Sequence, residues 1–105
     1  MSLSTHVLDL ARGVPARGVP LRVEALVDGA WTLLGEHLTD DDGRVRGLST
    51  EHATTYRLVF ALTAYLGDDA FFPEATLTFR VTNPSEHHHV PLLLSPFGFS
   101  TYRGS

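Results

Sequence analysis

The chain has 105 residues, 43% of them hydrophobic and 19% charged, with a formal net charge of -4. That is the make-up of one globular domain, residues 1–105, with no basic face for nucleic acid. There is no cysteine, and all eight cationic residues are arginines. Disulfides, thiol catalysis, thiolate metal sites and a Schiff-base lysine are therefore excluded. Residues 1–13 show no basic region followed by an apolar core, and no apolar run approaches the ~20 residues of a membrane helix. The expectation is a soluble cytoplasmic protein without a membrane partner.

Residues 5–10 read as a first strand, with His6, Leu8 and Leu10 on one face and Thr5, Val7 and Asp9 on the other. Residues 11–20, with two glycines and two prolines, read as a loop. Residues 21–27 alternate, placing Leu21, Val23, Ala25 and Val27 opposite Arg22, Glu24 and Leu26. Asp28-Gly29 signals a hairpin turn into a second strand over 31–38. Residues 39–44 form an acidic turn in which Gly43 suits a positive φ. A short strand over 45–48 and a polar connection over 49–54 follow. Residues 56–62 alternate again, with Tyr56, Leu58, Phe60 and Leu62 on one face. Residues 63–70 are the one helix candidate, two turns at most. Residues 76–82 put Leu77, Phe79 and Val81 inward. A turn at Asn83-Pro84-Ser85 leads to 87–105, which Ser95-Pro96 splits into two strands. Seven or eight short strands joined by turns predict an all-β sandwich or barrel. Trp31, Phe60, Phe71, Phe72 and Phe79 are assigned to its core.

The last long strand carries the chemistry. Its two-residue period places His88, Val90, Leu92 and Leu94 toward the core and His87, His89, Pro91 and Leu93 outward. Histidine among outward apolar residues marks an interface or ligand face, and the first strand repeats the mixture with His6. His6 and His89 are thus the candidate functional histidines. His87 and His88 are read as ordinary surface residues at a strand start. A metal would need a third ligand beside His87 and His89, and none is apparent, so no metal or other cofactor is expected. The ending Tyr102-Arg103-Gly104-Ser105 is chemically particular where chain ends are usually expendable. It suggests an ordered C-terminus inside a site.

Four segments, STHVLD with GVPA, TDDDGR, FFPEATLTFRV and HHHVPLLLSPFGFSTYRGS, stand in one order along the chain. In that order the chain resembles the 5-hydroxyisourate hydrolases, the transthyretin-related enzymes of urate breakdown, over nearly its whole length. The ending YRGS separates these hydrolases from transthyretin. The resemblance implies a transthyretin-like β-sandwich of two four-stranded sheets with one short helix. It also implies a homotetramer with sites in a channel at the dimer–dimer interface. It implies catalytic roles for His6, Arg44, His89 and Ser105, with Arg44, Tyr102, Arg103, Gly104 and Ser105 binding substrate. The implied reaction opens 5-hydroxyisourate to 2-oxo-4-hydroxy-4-carboxy-5-ureidoimidazoline. A neutral histidine would act as base toward water, and Arg44 would steady the oxyanion. His6 and His89 are left unranked. Where the family has His-Tyr-His before Val-Pro, this chain has His88 in the middle. Two other readings stand beside this one: a transthyretin-like carrier of small aromatic ligands, and a monomeric β-sandwich interaction module.

Overall fold

The computed structural model describes residues 2–105. Nine strands and one helical turn follow in order: β1 (Ser2–Asp9), β2 (Val14–Pro15), β3 (Pro20–Val27), β4 (Ala30–Leu38), β5 (Arg44–Ser49), β6 (Thr55–Ala61), α1 (Thr63–Leu66), β7 (Glu74–Arg80), β8 (His87–Ser95) and β9 (Gly98–Thr101). One sheet runs β4-β3-β6-β7, all antiparallel. In the other, β1 pairs in parallel with β8, and β8 pairs with β9. The far edge of β1 is shared: β5 takes residues 2–6 and the two-residue β2 takes Leu8 and Asp9. The expected two four-stranded sheets are present, and β2 is a fifth short strand inside the predicted 11–20 loop.

Period-2 alternation places the core as the sequence suggests. Leu3, Val7, Val90, Leu92 and Leu94 meet Leu21, Val23, Leu58, Phe60 and Leu77 between the sheets. Each such side chain, fully buried, stabilises the fold by about 1.5–3 kcal/mol. Polar residues on the core faces are satisfied locally. Thr5 Oγ1 donates to the Val90 carbonyl at 2.6 Å. Asp9 accepts from Arg12 N at 3.0 Å and from the Tyr65 hydroxyl at 2.8 Å, which ties α1 to β1. The helix lasts a single turn and stops at Gly67, whose φ of 90° ends it.

Three expectations are corrected. Phe71 is 67% exposed, because it lies in the loop before β7, where its ring meets that of Phe72 at 84°. Trp31 pairs with Leu26 on the outer side of its sheet and carries the Arg57 guanidinium over its ring, 4.1 Å from the centroid. His88 is buried, as the two-residue period has it and against its reading as a surface residue; its Nδ1 lies 3.0 Å from the Glu86 carbonyl. Among the described residues no helix is long and apolar enough to cross a membrane.

Candidate active site

The outer face of β1 presents Ser2, Ser4, His6 and Leu8, and that of β8 presents His87, His89, Pro91 and Leu93. The parallel register sets Ser2 beside His87 and Ser4 beside His89. On the other side of β1, β5 sets Arg44 opposite His6. Residues from both ends of the chain and its middle thereby reach one surface.

The 39–44 turn holds Arg44 in place by backbone hydrogen bonds. Asp40 Oδ1 accepts from the amides of Asp42 and Arg44, both at 2.9 Å, and these bonds keep the Asp40 carboxyl below its usual range. Gly43 has φ 75°, and a Cβ there would collide with the Val7 carbonyl. That carbonyl is used by Ala16 N at 2.8 Å, while Val7 N donates to the Gly43 carbonyl at 2.7 Å. Only glycine fits so close an approach.

Ser4, Arg44, Arg46, His87, His89 and Ser105 line a hollow of about 370 Å³. The Ser4 hydroxyl lies 2.8 Å from His89 Nδ1 and 3.0 Å from His87 Nε2. The Ser2 hydroxyl lies 2.6 Å from His87 Nδ1. His6 Nε2 is buried without a hydrogen-bond partner. Burial, and then the Arg44 guanidinium, hold the pKa of His6 below 6.5; the backbone of Asp42 and the carboxylates of Asp42 and Asp40 oppose them. Burial and Arg44 likewise lower that of His89, helped by His6 and His87. Both imidazoles are therefore neutral at neutral pH. Arg44 forms no ion pair among the described residues. Neutral bases beside an uncommitted cation can accept a proton and stabilise a developing negative charge. Among the described residues no group of three His, Asp or Glu is placed to hold a metal.

The C-terminal segment reaches the hollow by keeping the β9 register along β8 past Pro91. The pairing of Leu92 with Thr101 and the bridge of His89 with Gly104 share one register, which puts Pro91 opposite Tyr102. Proline has no amide hydrogen to offer there, so the ladder breaks. Thr101 Oγ1 takes the Pro91 carbonyl at 2.7 Å, and Gly104 N returns to the His89 carbonyl at 2.8 Å. A Cβ on Gly104 would stand 2.5 Å from His89 Cδ2. Glycine is thus required for the segment to lie against the imidazole and carry Ser105 into the hollow.

The family model described as HIUase/Transthyretin matches residues 3–104. The chain belongs to the HIUase/Transthyretin family. It is 45% identical to the 5-hydroxyisourate hydrolase of Salmonella dublin, over 98% of this chain and 80% of the relative. Among solved structures it resembles Klebsiella pneumoniae 5-hydroxyisourate hydrolase, with 33% identity and a TM-score of 0.84 over 99% and 98% of the two chains. It also resembles sea bream transthyretin in complex with thyroxine, with 33% identity and a TM-score of 0.87 over 97% and 93%. The fold alone therefore does not separate enzyme from carrier within this family, and the side chains of the hollow must.

Of the residues singled out in the sequence, Arg44, His89 and Ser105 line one hollow, and His6 lies beside it, opposite Arg44. Gly104 packs on His89. Tyr102 and Arg103 line a second hollow, of about 500 Å³, between β7 and β8–β9. There Arg103 pairs with Glu86 at 3.1 Å. Three residues of the first hollow escaped the sequence reading. Ser4 stands two residues before His6 and Arg46 two after Arg44, so strand period alone could have placed them on the same faces. His87 reads in the sequence as an ordinary surface residue. It is exposed, but both its ring nitrogens are engaged by serines 85 and 83 residues away. No local signal announces that.

Proposed function

We propose that the protein hydrolyses 5-hydroxyisourate to 2-oxo-4-hydroxy-4-carboxy-5-ureidoimidazoline in urate degradation. The observation that carries this reading is the meeting of neutral His89, uncommitted Arg44 and Ser105 around one hollow, in a chain so similar to relatives that bear the hydrolase name. Water attacks the cyclic amide carbonyl and gives a proton to a neutral imidazole, His89 or His6. The carbonyl electrons move to oxygen, and Arg44 stabilises the oxyanion. Collapse breaks the ring carbon–nitrogen bond. The imidazolium returns a proton to the leaving nitrogen, and the carbonyl carbon becomes a carboxylate. Ser105 orients water or substrate. Arg46 adds a second positive charge at the rim, suited to the carboxylate that forms. Tyr102, Arg103 and Gly104 hold the segment that carries Ser105.

The hollow is open on an outer sheet face, on which the partly exposed Leu8 and Leu93 stand side by side with the histidines. Exposed apolar surface next to a site suits a covering subunit, and the proposal includes a homotetramer that closes the site between dimers. Light scattering giving a monomer would remove that part. A cytoplasmic setting is also proposed, and cell fractionation checks it. A carrier of small aromatic ligands would have little use for two arginines and two histidines around one hollow. The deciding experiment follows the ultraviolet absorbance of freshly made 5-hydroxyisourate. Ring-opening no faster than the uncatalysed decay would sink the enzyme reading.

A further inference from the structure

The hydrogen bonds around Ser4 constrain the two histidines more tightly than their exposure suggests. Ser4 is buried, and its hydroxyl lies between His89 Nδ1 at 2.8 Å and His87 Nε2 at 3.0 Å. A hydroxyl has one proton to donate. It can donate to one imidazole nitrogen, and the other nitrogen must then donate to it. The chain is therefore directional. Either His89 Nδ1–H donates to Ser4 and Ser4 donates to His87 Nε2, or every bond runs the other way. In the first arrangement His87 keeps its proton on Nδ1 and donates to the Ser2 hydroxyl, 2.6 Å away. His89 then presents a bare Nε2. In the second His89 carries its proton on Nε2 and cannot act as a base with that nitrogen.

The arginines of the hollow break the tie. Arg44 and Arg46 line it together with His89; Nδ1 of that ring is turned to the Ser4 hydroxyl, and a nitrogen left to face guanidinium groups is better bare than protonated, which puts the proton on Nδ1. His87 Nε2 is then an acceptor that draws the Ser4 hydroxyl proton away from His89. The Gly104 contact helps hold the ring in this position. His6 is held differently: the backbone of Asp42 favours its proton, and its Nε2 is buried and unbonded.

We propose that His87, acting through the Ser4 hydroxyl, is a positioning residue that holds His89 with its proton on Nδ1 and so leaves His89 Nε2 bare as a basic nitrogen of the site. This rests on the hydrolase reading for its catalytic consequence but not for its structural content. The logic is that of any imidazole base whose far nitrogen is fixed by a hydrogen-bond partner, here supplied by a second histidine through a serine.

The test has two arms on the intact protein. Imidazole ¹⁵N spectra at neutral pH report which nitrogen of His89 is protonated, whether or not the protein is active. The expected state is Nδ1–H on both His89 and His87. In His87→Ala the freed Ser4 hydroxyl can donate to His89 Nδ1, and the spectrum should shift toward Nε2–H. In the kinetic arm His87→Ala should lower kcat on the order of 10-fold with KM little changed, less than loss of the base itself. His87→Gln keeps an acceptor for Ser4 and should recover most of the rate. Ser4→Ala should match His87→Ala, and the double variant should lose no more than either alone, as expected for residues acting as one unit. A His89 already in the Nε2–H form in the unaltered protein overturns the proposal. So does a His87→Ala variant with unchanged tautomer, or one that Gln does not rescue. A protein with the expected tautomers but no hydrolysis would instead refute the hydrolase reading.

Discussion

On the outer face of the β4-β3-β6-β7 sheet, Glu24 sits between Arg22 and Arg57; on the outer face of the β1–β8 sheet, Arg44 sits beside His6 and His89. Burial pushes the Glu24 carboxyl upward, but hydrogen bonds from Arg57 and Arg22 outweigh it and leave its pKa lowered. Arg22 Nε donates to Glu24 at 2.9 Å, Arg57 donates to the other oxygen, and Arg57 stacks on Trp31. Every charge there has a partner, and the cluster can only hold strands together. Around Arg44 stand two neutral imidazoles and, without an ion pair, the Asp40 carboxylate; no carboxylate pairs with Arg44 among the described residues. Its field is left for an incoming negative charge. Two outer faces of one sandwich thus separate by whether their charged groups are paired, and the proposed chemistry falls on the face where Arg44 is not.

The largest test of this contrast is to remove Arg44 or His89. Arg44→Ala should lower kcat/KM by about 10²–10³-fold, the scale of losing an oxyanion donor, and His89→Ala by on the order of 10² or more. Both are read by the absorbance assay, with Tm nearly unchanged. A full-rate Arg44→Ala variant would erase the distinction between the faces. Next in size, Gly104→Ala should cost about 10- to 100-fold in kcat, because the added Cβ displaces the His89 ring, and misplacements of about 1 Å act on that scale. Near-native circular dichroism would show that the loss is local.

Glu24→Ala should do the reverse. Two partly buried arginines lose their shared acceptor, and stability should fall by about 1–3 kcal/mol. Urea denaturation measures this, and the turnover rate should not move. A drop in rate would mean that the sheets are coupled in a way the hydrogen bonds do not suggest.

The smallest effect is a separation in pH. His6 and His89 have pKa values lowered by burial, by Arg44, and for His89 also by the neighbouring histidines. Between those lowered values and about 6.5 the unfolded chain binds more protons than the folded one. Their contribution to stability is therefore complete above about 6.5 and is lost as pH falls below it. The rate should likewise stay level through neutrality and decline only in the acid range. Glu24, with a lowered pKa, contributes above the ordinary carboxylate value of about 4.3 and fails only below it. Rate and denaturation profiles measured side by side should show the active face failing at higher pH than the structural one.

Much of this was legible in the sequence, for a local reason. A strand alternates every two residues whatever surrounds it, so Val90, Leu92 and Leu94 declared the core and His89 the outer face. Asp-Gly and Asp-Asp-Gly marked turns through backbone geometry alone. The errors arose where burial depends on distant partners. Phe71 and Trp31 are aromatic and were assigned to the core, but one lies in a loop and the other under an arginine. His88 and His87 look alike in sequence, yet the pleat sends one into the core and turns the other toward two serines.

By itself, then, the sequence determined the strands, their inner and outer faces, and the residue types able to do acid–base chemistry, because these follow from spacing along one segment. Only the tertiary structure decided which of those residues meet. The parallel pairing of β1 with β8 laid Ser2 and Ser4 beside His87 and His89, some 85 residues away. The β1–β5 register put Arg44 opposite His6. The β8–β9 register, kept past Pro91, brought Gly104 and Ser105 to the imidazole. Hydrogen bonds form between neighbours in space, and register, which no single segment encodes, made these residues neighbours.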